Sequence, residues 1–175
     1  SQLVSYLERL GHQVTIVSRK PGRNRINWVQ LAEDGLPNGT QAVINVTGQN
    51  VLDPMRRWTE GFKQNVYASR VNTNRSFANA IVKAKEKPKV FVAISGVGCY
   101  EPSQEAIYTE NSPIKEFDFM SKLVARWEEA ARLPEDVETR NVWIRSGVVL
   151  GRRGGMVQQL LFPFLMGVGG RMGSG

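Results

Sequence analysis

Strands and helices are predicted to alternate along the 175 residues of this chain, an order typical of an α/β fold with a doubly wound parallel sheet. Several short runs are rich in β-branched residues without polar alternation, as in strands covered on both faces. Between them lie longer segments whose apolar residues recur at helical spacing. The hydrophobic fraction of 41% and the charged fraction of 22% are ordinary for a globular domain and exclude disorder, collagen and coiled coil.

The first part of the chain predicts one helix, one strand and a short connecting region. Leucines recur at helical spacing over residues 1–10, and Gly11 follows as a stop signal. The run HQVTIVSR predicts a strand that ends near Ser18. Residues 20–25 predict a turn, and residues 27–39 a short helix or a loop closed by glycine and proline.

The middle of the chain predicts two buried strands that enclose a long helix. Residues 41–48 and 89–98 are apolar runs of strand length, and residues 60–84 carry one apolar stripe at helical spacing. A polar loop is predicted over residues 99–116. The next helix follows it, with an apolar stripe from Phe117 to Ala131.

The last part predicts a fourth strand over residues 141–151 and a final helix over residues 156–170, bent or broken at Pro163. No apolar run approaches the roughly 20 residues that a membrane span needs, so no membrane partner is expected. The length is that of a single domain.

The composition also limits the chemistry. A single cysteine, Cys99, excludes an intramolecular disulfide and favours a reducing, intracellular compartment. With one histidine, His12, the chain has few soft metal ligands, and no metal site is expected. The net charge of +7 attracts polyanions in general, but the basic residues are dispersed, and no nucleic-acid partner is expected.

Ser18 and Arg19 stand at the end of a strand where dinucleotide-binding folds usually place an acidic residue. An arginine there can pair with a 2′-phosphate, and the serine can add a hydrogen bond. This pattern predicts NADP rather than NAD. The alternative is a surface turn with solvated charges.

Arg70 is predicted to lie on the apolar stripe of the long helix, where a charge is uncommon unless it is paired. Asn65 and Ser69 flank it along one edge, and the three could hold an anion or a ribose near the sheet. Alternatively, the aliphatic part of Arg70 covers core while its charged head reaches water.

Several motifs together resemble one family. The segments VSRKPG, RRW and RSGVVLG, with SR and WEEAA between them, resemble the epimerase-family branch of the atypical short-chain dehydrogenase/reductases, along the whole chain. The resemblance implies a Rossmann-like fold, an NADP(H) cofactor and oxidoreductase or epimerase activity on a small-molecule substrate. A non-catalytic NADP(H)-binding sensor or scaffold is the alternative.

The resemblance also implies which residues contact the cofactor. Ser18 and Arg19 would bind the 2′-phosphate, and Val149 would lie beside the nicotinamide. The full set of implied cofactor-binding residues is Ser18, Arg19, Val46, Thr47, Asn65, Arg70 and Val149.

The chain departs from the family's catalytic pattern. These enzymes use Tyr-x-x-x-Lys, in which the lysine lowers the pKa of the tyrosine. Lys122 matches the lysine, but Asp118 stands where the tyrosine would be, and the two could form a surface ion pair. Ser95 matches the catalytic serine, and Tyr100 is a conceivable substitute for the tyrosine.

The family pattern also begins with a strand and a glycine loop, which do not precede Ser1 in this sequence. We therefore expect residues 1–175 to form a partial dinucleotide-binding domain without the C-terminal substrate-binding part. The missing strand belongs at the centre of the usual strand order, so we expect a gap there. Orphaned backbone groups would then cost roughly 1–3 kcal/mol each, leaving the chain poorly folded and weak in NADPH binding.

Overall fold

The computed structural model describes residues 2–20, 22–51, 56–151 and 155–171, and it confirms an α/β fold with parallel strands. The elements in chain order are α1 (Gln2–Arg9), β1 (Ile16–Val17), β2 (Arg25–Ile26), α2 (Trp28–Asp34), β3 (Ala42–Asn45), α3 (Glu60–Lys83), β4 (Val90–Gly96), α4 (Phe119–Glu129), β5 (Arg140–Ser146) and α5 (Met156–Leu165).

The strands form two sheets, β1–β2 and β3–β4–β5, and every pairing is parallel. Within the described residues, β1 pairs only with β2, and β3 pairs only with β4. In the usual strand order of this fold, one further strand lies between those that correspond to β1 and β3. The two sheets are separated at that position. The parallel register brings the carboxyl ends of β4 and β5 together, with Ser95 opposite Arg145.

One hydrophobic cluster ties the two sheets together. Phe91 of β4 and Ile81 of α3 are fully buried, and Val17 and Ile26 from the smaller sheet pack against the same cluster. Trp28 of α2 meets the ring of Phe77 edge to face, with the centroids 5.4 Å apart. A second cluster joins the first half of α3 to α4.

Helix α3 confirms the long helix predicted from the apolar stripe. It begins after Thr59, whose side chain accepts a hydrogen bond from the N–H of Phe62. Its buried face also includes two polar side chains, Arg70 and Asn74. Such residues interrupt an apolar stripe only where the surroundings supply partners.

The structure differs from the sequence prediction in several places. Strands β1 and β5 are shorter than predicted, ending at Val17 and Ser146. Arg25, predicted as the end of a turn, forms β2 with Ile26, because the left-handed Asn24 (φ 55°) returns the chain alongside β1. Phe117, predicted on the stripe of α4, lies before that helix and is 42% exposed. Helix α5 continues through Pro163, so the predicted break is wrong, whereas a bend remains compatible with it.

Helix α4 begins with a reciprocal capping arrangement. The Asp118 carboxylate accepts a hydrogen bond from the Ser121 N–H at 2.7 Å, and the Ser121 hydroxyl accepts one from the Asp118 N–H at 2.8 Å. These hydrogen bonds, aided by a smaller attraction to Lys122, lower the pKa of the Asp118 carboxyl. Asp118 is therefore a helix cap in this fold.

No helix within the described ranges has the length and apolar character that crossing a bilayer requires.

Replacing the cap tests this account of α4. Asp118→Ala should lower the free energy of unfolding by about 1 kcal/mol near pH 7, because it removes a cap. Because the folded pKa is depressed, the stabilisation by the charge is present above the unfolded pKa of about 3.9 and is lost as pH falls through the folded value.

Urea unfolding measured from about pH 7 to about pH 3 checks both statements. The matched control is Asp118→Asn, which keeps an acceptor for the Ser121 N–H but has no charge to titrate. An Asn variant with the same acid dependence as the parent protein would contradict the assignment.

Candidate functional site

A basic cavity of about 440 Å³ lies beside the carboxyl ends of β1 and β2. Its lining consists of three cationic residues, two amide residues, one glycine and one isoleucine: Arg19, Lys20, Arg25, Asn27, Gln30, Gly22 and Ile26. Among the described residues, no carboxylate lines it. A cavity with this lining favours an anionic ligand over a cation.

The ends of β1 and β2 shape one side of this cavity. The N–H of Ser18 donates to the carbonyl of Ile26 at 2.9 Å, which continues the pairing beyond the strand. The hydroxyl of Ser18 accepts from the N–H of Lys20 at 3.2 Å, and the turn leads Arg19 and Lys20 to the cavity. The structure therefore places the sequence-predicted pair, Ser18 and Arg19, at the anion-favouring end of β1.

A polar network fixes the end of β3. The side-chain oxygen of Asn45 accepts from the N–H of Thr47 at 3.0 Å and from its hydroxyl at 2.7 Å. The Thr47 hydroxyl also lies 2.7 Å from the Thr73 hydroxyl on α3. Because its hydroxyl and its backbone N–H are both engaged, Thr47 holds the end of β3 against α3.

Arg70 is buried beneath the segment that follows β3. Its guanidinium donates to the carbonyls of Gln49, at 3.0 Å, and Val66, at 3.3 Å, and lies 5.0 Å from the centre of the Trp127 ring. The residue is 9% exposed, so the alternative in which its head reaches water is wrong. Burial lowers the pKa of the Arg70 guanidinium.

Among the described residues, the charge of Arg70 has no acidic partner. No salt bridge to Arg70 is found among the described residues, and its buried Nε has no hydrogen-bond acceptor. A Cβ on Gly48 would lie 3.2 Å from the Arg70 guanidinium carbon, so glycine lets this loop approach the cation closely. An uncompensated buried cation at the sheet edge favours a nearby anion.

Ser95 belongs to a buried charged network at the ends of β4 and β5. Its hydroxyl donates to the Glu128 carboxylate at 2.6 Å, and Arg145 donates to both oxygens of that carboxylate, at 2.8 and 2.9 Å. Arg145 also donates to the Tyr100 hydroxyl at 2.7 Å, and Tyr100 in turn donates to the Thr109 carbonyl. The hydrogen bond to Glu128 raises the pKa of Arg145.

Lys122 and Ser95 have different surroundings. Lys122 is exposed on α4, whereas Ser95 is 2% exposed and bonded to Glu128. No salt bridge between Asp118 and Lys122 is found within the described ranges, and the predicted surface ion pair is replaced by the helix cap. In the same ranges, no group of three His, Cys, Asp or Glu side chains could hold a metal ion.

The other predicted contacts lie on the surface. Val46 is 55% exposed after β3, Val149 is 74% exposed after β5, and Asn65 is exposed on the second turn of α3. Strand-end valines with this exposure can cover the faces of a flat ligand.

The sequence analysis missed two functional candidates. Arg25 was assigned to a turn, although its place in a dense run of basic residues was a usable signal. Glu128 follows Val124 by one helical turn and so shares its buried face. A carboxylate on such a face requires a buried partner, which the sequence alone did not connect with Arg145.

No family model matches the chain, but individual proteins and solved structures are similar to it. The chain is 51% identical over 173 residues to "Epimerase family protein SDR39U1" of Homo sapiens, covering 99% of the chain and 58% of that relative. Its TM-score to the crystal structure of human SDR39U1 (isoform 2) with NADPH is 0.92, and this match also covers 99% of the chain and 58% of that structure's chain.

A more distant solved structure is the nucleoside-diphosphate sugar epimerase from Corynebacterium glutamicum. The TM-score is 0.78 at 28% identity, over 98% of the chain and 36% of that protein. The parallel sheets and their match to these structures define a Rossmann-like α/β protein of the short-chain dehydrogenase/reductase type. Within that class, the chain is similar over 99% of its own length to proteins named as members of the epimerase family. It spans 58% of the length of the human relative.

Removing Glu128 tests the network around Ser95. Glu128→Ala should lower the free energy of unfolding by about 3–5 kcal/mol, because Arg145 would be left as a half-buried charge without its partner. The matched control is Glu129→Ala. It removes an exposed pair with Arg132 at 3.4 Å, for which about 0–1 kcal/mol is expected.

Thermal or urea unfolding of the two variants provides the measurement. Equal losses in the two variants would show that the Glu128–Arg145 pair contributes no more than a surface pair.

Proposed function

We propose that the chain binds NADP(H) as the dinucleotide-binding part of an epimerase-family oxidoreductase. The observation that carries the proposal is the cavity at the end of β1, where the described lining includes Arg19 and other cations and no carboxylate. A carboxylate at this place would accept from the 2′-hydroxyl of NAD, whereas a cation suits the 2′-phosphate of NADP. The human relative crystallised with NADPH supports the same cofactor.

The remaining contacts follow the carboxyl ends of the strands. We assign Ser18 and Arg19 to the 2′-phosphate, and Arg70 to the charge balance near the sheet edge. The valines at the strand ends and the exposed asparagine of α3 complete the proposed set: Val46, Thr47, Asn65 and Val149. When bound, the nicotinamide supplies a hydride at its C4 position.

Ser95 and Lys122 are the proposed catalytic residues for turnover of a small-molecule substrate. The Ser95 hydroxyl would have to turn away from Glu128, to which it now donates, before it could bind a substrate oxygen. Lys122 is exposed and free of a salt bridge within the described residues. An ammonium in that state can donate a hydrogen bond to a substrate or a cofactor ribose.

The second candidate is an NADP(H)-binding sensor or scaffold without catalysis. Two observations favour it: Ser95 is engaged by Glu128, and Asp118 caps α4 where the family places its tyrosine. Screening reductase activity on small carbonyl compounds and nucleotide sugars separates the candidates. Turnover that is abolished in Ser95→Ala would exclude the sensor.

Arg19→Ala tests the cofactor assignment. A hydrogen bond to a charged group contributes about 1.5–3 kcal/mol, so the preference for NADPH over NADH should fall about 10- to 100-fold. Affinities measured by titration calorimetry should show the loss in NADPH binding, with NADH binding unchanged. A parent protein that binds both cofactors equally would refute the assignment.

A further inference from the structure

Arg25 reaches the basic cavity from a different strand than Arg19. It stands on β2, opposite Ile16 of β1 in the parallel register, and it lines the cavity together with Arg19 and Lys20. The turn and the second strand thus bring cations to one cavity from two directions.

Gly22 and Arg25 are in close approach within this cavity. A Cβ built on Gly22 would lie 2.9 Å from Cδ and 3.1 Å from Nε of Arg25. Real Cβ atoms do not come this close to other heavy atoms, so a side chain at position 22 would displace the arginine. The glycine therefore leaves room for the Arg25 side chain over the backbone of the turn.

None of the three cations has an acidic partner within the described part of the chain. The salt bridges there involve other residues, and the cavity lining contains no carboxylate. Like charges that share a cavity repel one another, and a bound anion removes that repulsion. A phosphate monoester carries about −1.5 to −2 charges near neutral pH, which is more than one guanidinium compensates.

We propose that Arg25 is a specificity-determining residue for the 2′-phosphate of the cofactor, binding it together with Arg19. This inference rests on the proposed function. It adds that Arg25 on β2 contributes to the discrimination between NADP and NAD, and that Gly22 leaves room for its side chain. Two planar guanidinium groups can each offer paired N–H donors to one phosphate.

Adenosine 2′,5′-diphosphate and adenosine 5′-monophosphate test the inference, because they differ only by the 2′-phosphate. Titration calorimetry with the parent protein should show tighter binding of the 2′,5′-diphosphate. Arg25→Ala should weaken that ligand by about 10-fold or more and leave the 5′-monophosphate unchanged. The affinity of Arg25→Lys for the 2′,5′-diphosphate should lie between those of the parent protein and Arg25→Ala, since lysine keeps the charge but loses the paired donors.

Arg23→Ala is the matched control, because Arg23 is an exposed cation of the same turn that does not line the cavity. It should bind both nucleotides as the parent protein does. Gly22→Ala should reproduce part of the Arg25→Ala loss through displacement of the arginine. Melting curves of each variant, superimposable on that of the parent, show that the fold is intact.

The outcomes distinguish the inference from the proposed function. A parent protein without preference for the 2′,5′-diphosphate would refute the proposed function itself. If Arg25→Ala keeps the preference for the 2′,5′-diphosphate as fully as Arg23→Ala does, only the role of Arg25 is refuted. Equal losses of oligonucleotide binding in Arg25→Ala and Arg23→Ala, with no nucleotide selectivity, would assign the cations to a nucleic-acid surface and overturn the inference.

Discussion

Asn74 connects three elements of the larger layer through its side-chain amide. It is fully buried in α3, accepts a hydrogen bond from the Asn45 side chain at the end of β3, and donates to the Trp127 carbonyl in α4 at 2.9 Å. A buried amide that lost either partner would cost about 1–3 kcal/mol. Asn74 thus helps to position the end of β3 and the loop that crosses Arg70, together with the hydrogen bonds of Thr47 and Thr73.

Two arginines at the sheet edge, Arg70 buried and Arg145 half-buried, are accommodated in different ways. Arg145 is paired through two hydrogen bonds with Glu128, and the pair also holds Ser95 and the loop through Tyr100. Arg70 has backbone carbonyls and the face of Trp127 instead. A paired charge contributes to structure, whereas an unpaired one attracts an anion, so the two residues have different significance for function.

Much of the architecture followed from local patterns. The period of the apolar residues predicted α3 within one residue of its observed ends, because a long stripe at helical spacing is specific. Strand β2 was missed, since two residues carry no periodicity, and only residues 18–24 separate it from its parallel partner β1. Its pairing depends on the left-handed Asn24 and on core packing, which a short segment does not reveal.

The sequence by itself determined the α/β class, the order of most elements and the cationic end of β1, because these depend on composition and on neighbours along the chain. Tertiary structure alone decided which charges are paired. Glu128 and Arg145 are far apart in sequence, and so are Arg70 and Trp127. Only the parallel register and the packing of α3 and α4 bring such groups into contact, and their burial gives these contacts their energetic weight.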